Sequence, residues 1–306
     1  MRRSRIDFAL VAGVLAMALP LAACGTDSPG GSGGEVASET SVNTSKAAVK
    51  QAVESDYDRN KFSRSTIIDN RWTPFTPGMQ FVTEGGATVD GERIRRRVVF
   101  TVTDLTKVID GVRSVVVWDR DYNNDVLVEA ELAYFAQDDD GNVWQMGQYP
   151  EEYEDGKLAD TPAWIAGLEG AKPGLLMRAE PKTGTPDYSQ GWGPAVEYAD
   201  RGKVIKTGQK TCVTTGCYED VLLIQEWDEA DPAAKQLKYY APNVGNVRIG
   251  WSGQDEEKET MVLTRFSRLD ADGLAQAREE ATKLEQSAYK VLKDLFGKTQ
   301  PAVHSP

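Results

Sequence analysis

The chain has 306 residues, with 35 Lys and Arg against 47 Asp and Glu, a formal net charge of −12 at pH 7 and one histidine. Nucleic acid and anionic lipid headgroups repel so acidic a chain, so no nucleic-acid partner is expected. The histidine, His304, lies in the expected C-terminal tail, where no packed neighbours would orient its imidazole. Ser-His-Asp, Cys-His and histidine-based zinc chemistry need an oriented imidazole, so the sequence argues against these three classes.

The first residues predict a lipoprotein signal peptide. Arginines precede an apolar stretch of about twelve residues, which is too short for a transmembrane helix. The sequence LAAC at 21–24 follows, and it resembles the lipobox of bacterial lipoproteins. This resemblance implies that residues 1–23 are removed and that Cys24 carries a diacylglycerol, which would anchor the chain at the extracytoplasmic face of the cell membrane. The alternative is ordinary secretion, with Cys24 merely close to the cleavage point.

The rest of the chain divides into a tether, one domain and a tail. Residues 24–44, which begin at Cys24, are rich in Gly, Ser and Thr and predict a flexible tether with a reach of roughly 25 Å. We expect a single β-rich domain over residues 45–296, opening with a short helix capped by Ser45. Residues 297–306 are expected to be a disordered tail.

Alternating apolar and polar residues predict antiparallel strands from about Gly78 onwards. In residues 94–105 the apolar face carries Val98 and Phe100. In residues 125–137, Glu129 and Glu131 alternate with apolar residues and are placed on the opposite face of their strand. Turn signals separate the strands at Asp110-Gly111 and in DDDGN, 138–142. Later strand candidates are DVLLIQEW, KQLKYYA, GNVRIGW and EKETMVLTRFSRL.

The C-terminal stretch Leu274–Phe296 carries apolar residues at helical spacing and predicts an amphipathic helix of about six turns that packs on the sheet. Short turns between neighbouring strands favour a meander over βαβ units. The expected fold is therefore β-rich α+β: an antiparallel curved sheet or half-barrel, with the short N-terminal helix and this long C-terminal one.

Two cysteines remain besides Cys24, and they lie close together at Cys212 and Cys217. In an exported chain such a pair predicts a disulfide, here within a turn. Metal binding is the alternative, but it needs two further ligands, and neither His nor Cys is available. We expect no metal and no cofactor.

The segment from Asp119 resembles the start of an EF-hand loop. Asn124 and Ala130 stand where that pattern needs Gly and Glu, so a solvated hairpin turn is preferred over a calcium site. The acidic runs EEYED at 151–155 and DEEKE at 255–259 are likewise interpreted as solvated faces. The candidate calcium ligands are Asp119, Asp121, Asn123 and Asp125.

Aromatic residues are spread through the predicted sheet. Ordinary core packing accounts for them, but a curved sheet closed by a helix could instead enclose an apolar cavity for a ligand. These residues are Trp72, Phe75, Phe81, Trp118, Tyr134, Phe135, Trp144, Trp164, Trp192, Trp227, Tyr239, Tyr240 and Trp251.

Five segments between about Asn70 and Trp251 resemble, in the same order, motifs of a family of exported bacterial proteins with no known activity. The family motif Lys-Tyr-Tyr-Ala-Pro-x-Val-Gly corresponds to 238–245, with Asn243 where the family usually has Gly; Gln145-Met146-Gly147-Gln148 is another departure. The resemblance implies export and the domain extent, but no catalyst. The segments are NRWTPFTPGMQFVTEG, VWQMGQYPEEYEDGKL, AWIAGLEGAKPGLLM, LIQEW and KYYAPNVGNVRIG.

The sequence favours a membrane-anchored, non-enzymatic lipoprotein that binds an apolar or amphipathic small molecule or another envelope component. Two rival hypotheses are a carboxylate-dependent hydrolase of cell-wall glycans and an interaction module with a solid core. A cavity of about 300 Å³ or more lined by aromatics would favour binding. Two facing acids in a cleft, one of them desolvated, would favour the hydrolase.

Overall fold

Residues 57–305 are described by a computed structural model, and most of them lie in antiparallel strands. Two helices follow the strands: α1 spans Ala271–Val291 and α2 spans Lys293–Phe296. The strands are β1 Met79–Val89, β2 Glu92–Ile109, β3 Val112–Asn123, β4 Val126–Gln137, β5 Val143–Glu154, β6 Lys157–Asp160, β7 Trp164–Ile165, β8 Gly174–Met177, β9 Tyr188–Ser189, β10 Asp200–Val213, β11 Gly216–Asp228, β12 Ala234–Ala241, β13 Gly245–Gly253, β14 Thr260–Arg268 and β15 Val303–His304.

The strands form one open, curved antiparallel sheet, which confirms the predicted fold class. Their order is β6-β5-β4-β3-β2-β1-β14-β13-β12-β11-β10-β9, so two meanders meet where β1 pairs with β14. Strands β7 and β8 pair with β5, and β15 pairs with β2. The helix predicted from Ser45 falls largely outside the described residues.

Local turn chemistry sets the hairpins. Asp110 and Gly111 both have positive φ, at 48° and 81°, as a two-residue type I′ turn requires, so the predicted hairpin is confirmed. The DDDGN turn is also confirmed. There the Asp138 carboxylate accepts the backbone N–H of Asn142 at 2.8 Å and the indole N–H of Trp144 at 2.8 Å.

Both faces of the central strands are buried. On one face, β2 to β5 pack against the helices through a core that includes Leu132, Tyr134, Ala281 and Phe296. A second core fills the other face, where the two meanders face one another. This double burial explains why β4 carries buried residues along most of its length.

The long C-terminal helix is confirmed, but it is interrupted. Asp270 caps α1 by accepting the N–H of Gly273 at 2.8 Å. The chain leaves helical geometry at Leu292, with φ −113° and ψ 56°, before α2 begins. The break lets α2 turn Phe296 into the core beneath Tyr149, with ring centroids 5.2 Å apart.

A buried ion pair ties α1 to the sheet. The Lys107 ammonium on β2 is fully buried and lies 2.8 Å from Glu285 of α1. It also donates to the Tyr289 hydroxyl at 3.1 Å and to the Gln300 carbonyl at 2.7 Å. Burial of an ammonium group is tolerated because each donor has an acceptor.

The C-terminal residues correct the expectation for His304, whose imidazole has a packed neighbour. Strand β15 pairs with β2, and His304 Nε2 lies 3.2 Å from an Asp104 carboxylate oxygen, with the side chain about half exposed. Glu285 also accepts the backbone N–H of Ala302 at 3.0 Å. These contacts explain why residues 297–305 follow the sheet surface instead of leaving it.

Candidate functional site

A cavity of about 150 Å³ lies on the second face of the sheet, between β1 to β5 of the first meander and β12 and β13 of the second. Its volume is half of what we expected for binding, and it suits a ligand the size of a single aromatic ring. It is lined by Thr73, Phe75, Phe81, Thr83, Val98, Phe100, Asp119, Asp121, Glu129, Glu131, Phe135, Gln148, Pro150, Glu152, Leu176, Lys238, Tyr240, Gly245, Asn246 and Ile249.

One wall of the cavity is aromatic. The ring of Phe75 lies 5.2 Å from that of Phe100 and 5.1 Å from that of Phe135, centroid to centroid. Phe81 meets Phe100 edge-on at 5.9 Å. Mutual contact fixes these rings, so the wall is shaped before any ligand arrives. Four of the aromatic residues named from the sequence, Phe75, Phe81, Phe135 and Tyr240, therefore pack in the second core and also line the cavity.

The lining beside the aromatic wall is acidic, and strand register assembles it: Phe100 of β2 lies directly across from Asp119 of β3 in the same ladder. Asp119 of β3 lies directly across from Glu131 of β4, and Asp121 lies across from Glu129. Glu129 in turn lies across from Glu152 of β5. Directly opposed residues share a face, with Cβ atoms about 4.5–5.5 Å apart, so these five carboxyls form one patch.

Glu131 is the most unusual member of this patch. Its side chain is 5 % exposed, and its Oε1 has no hydrogen-bond partner. Burial, together with the neighbouring charges of Glu129, Asp119 and Asp121, raises the pKa of Glu131 well above its ordinary value. The site thus contains a desolvated carboxyl among other acids.

Two cations, Lys238 and Arg96, lie close to this patch. The Lys238 ammonium lies 2.5 Å from the Glu226 carboxylate. Burial acts to raise the pKa of Glu226, but Lys238 and the Gln190 amide outweigh it and lower that pKa to about 2. At the outer end of β2, Arg96 lies 3.2 Å from Glu259 and 4.0 Å from Asp121.

The interpretation of residues 119–125 as a solvated turn is wrong, because only Asn124 and Asp125 form the turn. Asp119 and Asp121 lie in β3 on the cavity wall, and Asp121 is 3 % exposed. A strand separates alternate carboxylates too regularly to wrap an EF-hand ion. Across residues 57–305, no three His, Cys, Asp or Glu side chains are placed to hold a metal ion.

The two acidic runs are also more buried than expected. Glu151, Glu152, Asp255 and Glu259 are each less than a tenth exposed. Glu151 faces the helices, where it accepts the Tyr149 hydroxyl at 2.6 Å. The runs look like solvated faces in sequence because the elements that cover them are distant along the chain.

The predicted disulfide is present. Cys212 and Cys217 face one another across the end of the β10–β11 hairpin, with Cα atoms 4.0 Å apart. The predicted lipidation site, Cys24, lies outside the described residues.

Four of the five segments that carry the family resemblance meet at the cavity. They supply Phe75, Gln148, Leu176 and Lys238, among others. The fifth segment, LIQEW, supplies Glu226, which pairs with Lys238. The resemblance implied only export and the domain extent, so the sequence did not indicate that these segments meet at one site.

No helix among the described residues is long and apolar enough to span a bilayer.

No protein-family model matches the chain, and no curated protein matches it. Among solved structures, a protein from Bacteroides fragilis predicted to be exported, with a YmcC-like fold, aligns at 15 % identity and a TM-score of 0.39, covering 65 % of this chain and 100 % of its own. A predicted lipoprotein from Parabacteroides distasonis aligns at 12 % identity and a TM-score of 0.38. This alignment covers 65 % of the present chain and 99 % of the Parabacteroides chain. Likenesses this distant assign no function to this chain.

Proposed function

We propose that this protein is an extracytoplasmic lipoprotein, anchored through Cys24, that holds a small amphipathic molecule without transforming it. The observation that carries this proposal is the cavity, whose lining has aromatic residues beside acidic ones. In an interaction module with a solid core, side chains would fill such a space, because filling it would stabilise the fold.

The predicted export signal and tether support the location. A tether of roughly 25 Å would keep the domain near the membrane surface, where amphipathic molecules are concentrated. The Cys212–Cys217 disulfide agrees with an oxidising compartment.

Native mass spectrometry of the full chain, extracted from its host membrane in mild detergent, tests the binding proposal. We expect a discrete non-covalent added mass on the wild-type protein. Val98→Phe should remove it by filling the cavity. Val126→Phe makes the same change on an exposed part of β4 and should keep it. A wild-type protein that carries no added mass, or a mass retained in Val98→Phe, would contradict ligand binding in this cavity.

One observation favours a second candidate, a carboxylate-dependent glycan hydrolase. Glu131 is desolvated and lies across from Asp119, at a spacing compatible with paired catalytic carboxyls. The small cavity volume argues against a bound sugar chain. Incubation with purified cell-wall glycan would decide: hydrolysis requires new reducing ends that disappear in Glu131→Gln, whereas the binding proposal expects none.

A further inference from the structure

Resting on the proposed function, we infer that the acidic wall selects an organic ammonium ion, whose charged group contacts Glu131 while its apolar part lies against the phenylalanine wall. The ligand class is thus a small monocationic amine with a body about the size of one ring. Three features of the cavity support this inference: the position of Glu131, the charge of the lining and the cavity volume.

Glu131 supplies the acceptor. Its buried Oε1 lines the cavity and has no hydrogen-bond partner, although buried carboxyl oxygens are normally satisfied. A ligand that donates an N–H to this oxygen would replace the water it lost on folding. An ammonium donor gives a charge-assisted hydrogen bond, roughly twice as strong as a neutral one.

The charge around the cavity selects the sign of the ligand's charge. The lining contains five carboxyl side chains and one amine, Lys238, whose ammonium lies beside Glu226. An anionic ligand would be repelled by the carboxylates around Glu131, which are Asp119, Asp121 and Glu129. A neutral ligand would gain the aromatic contacts but no electrostatic attraction to the carboxyl groups of the lining.

The cavity limits the size of the ligand. About 150 Å³ accommodates one aromatic ring or a short alkyl group, and Phe75, Phe81 and Phe100 offer ring faces and edges to it. The acidic patch begins one strand away, since Phe100 lies directly across from Asp119 in the β2–β3 ladder. An amine one or two carbons from a ring therefore reaches from the aromatic wall to the acidic patch.

Binding of a cation should displace a proton. Glu131 faces Asp119 and Asp121 on β3, Glu129 on its own strand and Glu152 on β5, with Lys238 on β12 and Arg96 on β2 as the nearby cations. Burial and the neighbouring acids raise the pKa of Glu131 and so favour its protonated form, whereas an ammonium ion would favour its ionised form. Protons released per ligand bound therefore report on contact with this group.

Isothermal titration of the full-length protein in detergent tests the inference, with 2-phenylethylammonium as the probe and 2-phenylethanol as its neutral isostere. At neutral pH we expect the affinity for the ammonium ion to exceed that for the alcohol by about tenfold or more. We also expect proton release on binding of the ammonium ion, which titrations in buffers of different ionisation enthalpy measure. Glu131→Gln should reduce this preference to within about twofold and abolish proton release. Glu154→Gln, an exposed site on β5, should leave both unchanged.

The outcomes separate the two proposals. Equal affinity for ammonium and alcohol, or a preference that persists in a folded Glu131→Gln protein, would overturn the cation inference and leave amphipathic binding intact. If neither probe binds at concentrations up to about 10 mM, the range of weak fragments, the proposed function itself is contradicted. Should Glu131→Gln not fold, the two wild-type measurements, probe preference and proton release, still decide.

Discussion

A glutamate buried like Glu131 makes stability depend on pH. Its folded-state pKa is raised, so between the ordinary glutamate pKa of about 4.3 and the raised value, the folded chain holds a proton that the unfolded chain has released. The unfolded state then binds fewer protons, and the free energy of unfolding falls as pH rises through this window.

Glu131→Gln removes this penalty. We expect the variant to match the wild type near pH 4 and to exceed its free energy of unfolding by about 1 kcal/mol or more at neutral pH. Urea denaturation across this range measures it, with Glu154→Gln as an exposed control that should show no such divergence. A difference that stays constant with pH would mean that Glu131 does not titrate abnormally.

Unlike the buried carboxyl of Glu131, the buried charges of Lys238 and Glu226 stabilise one another. Lys238→Met would leave the Glu226 carboxylate buried beside no ammonium, and we expect a loss of about 3–5 kcal/mol in urea denaturation. The double variant Lys238→Met/Glu226→Leu should recover most of this loss. Lys210→Met, in the exposed Lys210–Glu219 pair, should change stability by less than about 0.5 kcal/mol. A small effect of Lys238→Met alone would show that Glu226 is solvated.

At the scale of elements, the strands and hairpins follow from the sequence, but the acidic wall does not. Alternation correctly placed Val98 and Phe100 on one face of β2. The acids of β3 and β4 come into register through a bulge after Asp121 that leaves Val128 without a direct partner. A shift of one residue changes which side chains oppose one another, and no local pattern encodes it.

The burial of both faces of β4 was a second feature that the sequence did not predict. Glu129 and Glu131 alternate with apolar residues, a pattern typical of a strand with one solvated face. The second meander covers that face through β12 and β13, more than a hundred residues later in the chain. Helix α1 was predictable because its stripe of apolar residues is local, whereas Lys107 needed a partner, Glu285, from a distant element.

The β10–β11 hairpin allows a test of the disulfide. Cys212 and Cys217 are direct cross-strand partners five residues apart, so the bond closes a small ring that the strand ladder already holds. Replacing both with Ser should lower the free energy of unfolding by about 2 kcal/mol at most and keep the fold. Thiol labelling of the denatured, unreduced wild-type protein should modify neither sulfur. Complete labelling of both would show that the bond does not form.

For the whole molecule, the predicted lipid anchor would determine where the cavity is located. We expect the mature chain to begin at Cys24, with its first peptide heavier by a diacylglyceryl group in mass spectrometry of the membrane fraction. Cys24→Ala should release the protein or leave it unprocessed, with the Cys212–Cys217 bond unaffected. An unmodified N-terminal peptide beginning elsewhere, from protein free in the medium, would contradict lipid anchoring.

If the two meanders enclose a ligand site, a high-resolution crystal structure of the protein purified from its own host should show the ligand. We expect continuous non-water density in the cavity, in contact with both Phe100 and the Glu131 carboxyl. A cavity closed by side chains, or one that contains only ordered water, would contradict this expectation.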